Sequence, residues 1–177
     1  MKLRMLILSA SLFAAVANAK SDAGGSFTVE GKSFKLLSAY AYTCPNPYDQ
    51  TKPATVITFS IRKLDAKVIE SADDSAAALQ TAVNSYLPDR QARPASVKVI
   101  LARLDPESPI ADISYSIPEL SSQASSNIAN YVLDLKRNDD KRIEGTLLSK
   151  NESAKTQKYG GGFFDLHFAL DVDSECL

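Results

Sequence analysis

The one histidine of the 177-residue chain, His167, stands two residues from Asp165 and four from Asp171. In an extended strand residues two apart share a face, so all three project the same way. An imidazole among carboxylates is raw material for a metal site, or for a base oriented by an acid. Zinc normally recruits at least three protein ligands, and Asp134 or Glu144, which could complete such a set, have no sequence relation to His167 that places them beside it. Serine is abundant, but no Gly-x-Ser-x-Gly elbow aims one as a nucleophile. Asp165, His167 and Asp171 are therefore expected to form a charged, solvent-facing stripe that can serve as a binding surface. No catalytic residue, metal ligand or cofactor is assigned.

Gly160-Gly161-Gly162 has the glycine content of a phosphate loop but the wrong context. Such loops lead from a strand into a helix, whereas these glycines precede a strand pattern and lack a following Lys-Ser/Thr. They read as a bulge, hinge or sharp entry into the last strand. Asp73-Asp74 and Asp139-Asp140 lack the ligand spacing of an EF-hand, so cap and turn roles are expected.

Cys44 and Cys176 are the only two cysteines. Without redox-motif spacing or a nearby histidine, they read as one disulfide in an exported protein, with functional thiols as the rival. Cys44 falls in Thr43–Gln50, where Pro45 and Pro47 predict a loop. Tyr40, Tyr42 and Tyr48 cluster around it, and such amphipathic rings suit either core packing or a protein interface.

The chain opens with the three parts of a secretory signal: Lys2 and Arg4, an apolar run from Met5 to Val16, and Ala17-Asn18-Ala19 for cleavage. A run of twelve residues is too short for the roughly 20 that span a bilayer as a helix. Residues 1–19 are thus read as a leader, and 20–177 as a single β-rich domain with no membrane span. Lys20 stands where a lipoprotein would carry cysteine. Without the two cations of the leader the balance is 18 Lys+Arg against 21 Asp+Glu, a net charge of −3. That excludes the basic footprint of a nucleic-acid or anionic-membrane binder.

Positioning falls to strands. Ser26–Val29 and Ser33–Tyr42 flank Glu30-Gly31-Lys32 as a hairpin, and Phe34–Tyr42, apolar on both faces, reads as a central strand. Thr55, Ile57, Phe59 and Ile61 share one face of the next. Ala76, Leu79, Val83, Tyr86 and Leu87 then follow helical spacing, with Asp73 or Asp74 as cap and Pro88 as stop. Strands resume at Val97–Leu104 and Ile110–Ile117, and Tyr131–Arg137 pairs with Arg142–Leu148 as the clearest hairpin. Phe164–Val172 closes the pattern. Ser121–Asn130 and Ser149–Lys158 read as polar loops. The predicted fold is mainly β: an antiparallel barrel or sandwich of about 7–8 strands with one covering helix.

The Gly31-Lys32 turn leading to Leu36 and Ala39-Tyr40-Ala41, the Arg142-Ile143-Glu144-Gly145 strand and Phe164-Asp165-Leu166-His167-Phe168 together resemble a loosely defined group of small, exported, uncharacterised bacterial proteins. The resemblance covers the two ends of the chain and implies a β-rich periplasmic protein, with no catalytic residues attached. The functional expectation is a non-enzymatic exported protein that binds a periplasmic or cell-envelope protein, as an inhibitor or immunity factor does. A β-barrel holding a small ligand is the alternative, and a hydrolase or metal-dependent enzyme the third reading.

Overall fold

The period-two patterns become ten strands of one sheet in the computed structural model, which describes residues 21–84, 94–103, 109–117, 124–125, 128–150, 162–173 and 176–177. The leader lies outside these residues, as do Tyr86, Leu87, Pro88, Gly160, Gly161, half of Ser121–Asn130 and most of Ser149–Lys158.

The last strand, β10 (Phe163–Asp173), is the junction of the sheet. Its two edges hold β1 (Asp22–Val29) and β9 (Arg142–Ser149), both antiparallel. Beyond the start of β1 it meets β3 (Ser38–Asn46) in parallel, Val172 opposite Ala41 and Asp173 opposite Tyr42. From there the order continues through β4 (Asp49–Ser60), β5 (Ser96–Ala102), β6 (Ile110–Ser116) and the two-residue β7 (Ala124–Ser125). β2 (Lys32–Leu36) flanks β1, and β8 (Tyr131–Asn138) flanks β9. The sheet curls into a half-barrel.

The strands outnumber the 7–8 expected, and three further expectations about the sheet are corrected. The sheet is mixed rather than purely antiparallel, because the end of β10 runs alongside β3 in the same direction. The segment Phe34–Tyr42 is two strands: Leu37, 53% exposed, separates β2 from β3, which pair with different neighbours. β2 buries Leu36 at the margin of the sheet, whereas β3 is buried on both faces, Ala41 in one core and Tyr40 and Tyr42 in the other, so the central-strand reading holds for β3. Finally, Cys44 lies in β3 opposite Ala54, not in a loop. Pro45 opposes Pro53 and the register shifts immediately afterwards, a bulge being one of the few places where a sheet tolerates proline.

The β1–β2 turn behaves as its residues demand. Glu30 and Gly31 have φ of 50° and 75°, the pair of positive values that a two-residue hairpin turn requires. Inside the curl, Phe27, Phe164, Ile57, Phe59, Val97, Ile113, Ile143, Leu147 and Leu166 are buried. The rings bridge elements far apart in sequence: Phe27 lies 5.0 Å from both Phe164 and Tyr115, and Tyr131 lies 5.2 Å from Phe164. Gly162 fits below them because it has no side chain; a Cβ there would stand 2.7 Å from Phe27 Cε2. Its carbonyl accepts the Tyr131 hydroxyl at 3.0 Å.

The opposite face of β3, β4 and β5 carries a second core beneath two helices, where one was expected. α1 (Ala66–Glu70) is capped by Asp65, and α2 (Ser75–Asn84) by Asp74, whose carboxylate accepts Ala77 N–H at 2.8 Å. Ile69, Leu79 and Val83 pack there on Tyr40, Tyr42 and Val56.

The β8–β9 turn is organised by one carboxylate. Asp139 accepts the N–H groups of Lys141 and Arg142, both at 2.9 Å, and pairs with Arg137 at 2.5 Å. The Arg137 hydrogen bond, followed by that from Lys141, holds the Asp139 carboxyl down to about 2. An unfolded Asp titrates near 4, so this ionised group favours folding above about pH 4, and the contribution disappears as the pH falls through about 2. A carbon-detected titration should place the Asp139 midpoint near 2, and Asp139→Asn should flatten the stability curve between about pH 4 and 2. A midpoint near 4 in the folded protein would refute the arrangement.

Candidate functional site

Strand alternation does put Asp165, His167 and Asp171 on one exposed face of β10. There the three diverge in their bonding. Asp171 pairs with Arg142 of β9 at 2.9 Å and accepts Ser21 Oγ at 3.4 Å. His167 lies opposite Thr146 on one side and Gly24 on the other, with its ring over the glycine. Asp165 sits between Ser26 and Leu148. Among the described residues no three of His, Cys, Asp or Glu converge on a point where they could hold a metal.

The tyrosines part company. β3 directs Tyr40 and Tyr42 to the face that the helices cover, and both are buried rather than presented at a surface. Tyr40 donates to Asp173 Oδ2 at 2.6 Å, tying β3 to the end of β10. The Tyr42 hydroxyl is pushed up by burial, against the opposing hydrogen bond of Thr58. Tyr48 alone is presented, 75% exposed at the tip of the β3–β4 hairpin.

That tip is tightly held. Asn46 Oδ1 accepts Tyr48 N–H at 2.9 Å, the side-chain turn that asparagine makes with its own backbone two residues on. Asp49 accepts both Thr51 N–H at 3.2 Å and Thr51 Oγ1 at 2.6 Å, and pairs with Lys52 at 3.0 Å. The Thr51 hydroxyl, then Lys52, lowers the Asp49 carboxyl below its ordinary range. At the base of the hairpin Cys44 is bonded to Cys176, the expected pairing. A shallow depression beside this bridge is lined by Thr43, Pro45, Gln50 and Lys52. An aromatic side chain thus projects from a short hairpin whose base and turn are both fixed.

Residues that the sequence did not single out line a cleft under α2: Thr58 on β4, and Ser96 and Lys98 on β5. The available signal was Lys98 itself, a cation near the start of the mainly apolar run Val97–Leu104. No family model, no curated protein and no solved structure matches the chain. Among the described residues no helix is long and apolar enough to cross a membrane.

Proposed function

We propose that the chain is an exported, non-enzymatic protein that binds a partner protein of the periplasm or cell envelope, with the β3–β4 hairpin tip as its anchor. The observation that carries this reading is Tyr48, 75% exposed on a turn held by Asn46 and Asp49 above a disulfide. Aromatic side chains on rigid supports are the usual hot spots of protein interfaces, because they bury large area at little entropic cost. A projecting, preorganised loop also suits an inhibitor or immunity factor that occupies a partner's cleft. The export signal read in residues 1–19 and the disulfide support the location.

A ligand inside the curl has less support, since it would have to displace the packed rings of Phe27, Phe164, Tyr115 and Tyr131. The test is a photo-crosslinking amino acid placed at position 48, or at Lys35 on the far hairpin as a control, in cells of the native host. A discrete adduct from position 48 alone is expected. Binding of the purified partner is then expected to weaken by 2 kcal/mol or more, on the order of thirtyfold, in Tyr48→Ala. Equal labelling from both positions, or none from either, would overturn the proposal.

A further inference from the structure

We infer that the cleft between α2 and the sheet is a binding site for a small apolar molecule carrying a single carboxylate. A sheet face covered by a helix ordinarily presents apolar side chains, as Tyr42 and Val56 do under α1 and α2. The row under α2 is different. Tyr40 on β3, Thr58 on β4, Lys98 on β5 and Ser114 on β6 stand side by side, with Ser60, Ser96 and Ser116 in the adjoining row. Thr58, Ser96 and Lys98 line one side of a cleft of about 310 Å³, within the range of small-molecule sites. Leu79 and Val83 of α2 line the other side, and Leu177, next to the disulfide, also lines the cleft.

Lys98 decides the chemistry. It is half-buried on a strand with neighbours on both sides, and among the described residues no carboxylate lies within salt-bridge distance of it. A half-buried lysine with no carboxylate beside it can pair with an anion that enters the cleft. One lysine among neutral hydroxyls supplies one positive charge and hydrogen-bond donors, which matches a carboxylate. Phosphate recognition usually adds arginine forks, and no arginine is among the described residues that line this cleft. The leucine and valine opposite match an aliphatic tail. This site is separate from the hairpin tip, so Tyr48→Ala leaves it intact.

The probe is decanoate below its micelle-forming concentration, with decanol as the uncharged match and inorganic phosphate as the bare anion. Decanoate is expected to titrate saturably, shifting the methyl resonances of Leu79 and Val83, while decanol binds more weakly and phosphate does not compete. Lys98→Met, which keeps the aliphatic stem, is expected to weaken decanoate on the order of tenfold and leave decanol unchanged. Gln80→Glu, on the exposed side of α2 at the cleft edge, gives a second and structurally mild variant. Its carboxylate supplies an internal competitor and also weakens decanoate. Equal affinity for decanoate and decanol, tight binding of phosphate, or indifference to both variants would overturn the assignment.

Discussion

Breaking the Cys44–Cys176 bridge lowers the stability of the fold by about 3–5 kcal/mol, whether by reductant or by replacing both cysteines with serine. The bridge closes a loop 132 residues apart in sequence, for which the loss of chain entropy in the unfolded state corresponds to about 5 kcal/mol. It acts where the sheet is thinly joined. Among the described residues the parallel contact between β10 and β3 spans two residue pairs, and Cys44 lies two residues beyond Tyr42, the last of them. Leu177 next to the bridge packs with the second core, so cutting the tether also frees apolar surface that the helices cover. Total stabilities of about 5–15 kcal/mol make a loss of this size decisive. Urea unfolding with and without reductant measures it, and the oxidised protein should be two hydrogens lighter than the reduced form. Coincident unfolding curves would refute the prediction.

Phe164→Ala is expected to cost about 3–5 kcal/mol. Phe164 has no exposed surface, and its ring meets Phe27 of β1, Tyr115 of β6 and Tyr131 of β8 at centroid distances of 5.0, 6.1 and 5.2 Å. Removing it opens a cavity at the point where both arms of the curl touch. Phe164→Leu retains most of the volume and should cost about 1.5 kcal/mol or less. Leu148→Ala, on the exposed face of β9, should stay within about 0.5 kcal/mol. Chemical denaturation of the three variants ranks them, and a Phe164→Ala midpoint close to that of Leu148→Ala would sink the account of the core.

The elements that declare themselves in the sequence are those whose determinants are local. Phe164, Leu166, Phe168 and Leu170 alternate against exposed neighbours because β10 has one face in the core, and that pattern survives into the structure. The β8–β9 hairpin is legible in Asn138-Asp139-Asp140, and Asp74 with Leu79 and Val83 announces α2. Long-range arrangement has no such signature. Nothing local marks Leu37 as the point where the chain passes between neighbours, or indicates that β10 ends beside β3 in parallel. α1 has five residues and one buried side chain, Ile69, too short a stretch for helical spacing to emerge. Of the candidate site, Tyr48 and the bridge were legible from proline, tyrosine and cysteine placement. The burial of Tyr40 and Tyr42 was not, because it depends on helices that come later in the chain and fold back over β3.

The place of β10 has a kinetic consequence. β1 cannot acquire its second neighbour until Ala169 is available to Asp22, and β3 must wait for Val172 to reach Ala41. Loop closures of that length, repeated along one edge of β10, give the chain a high contact order and place its folding in the millisecond-to-second range. A chain built in this way completes its sheet only when nearly all of it has been released. Slow closure is an advantage for any protein that must cross a membrane before it folds.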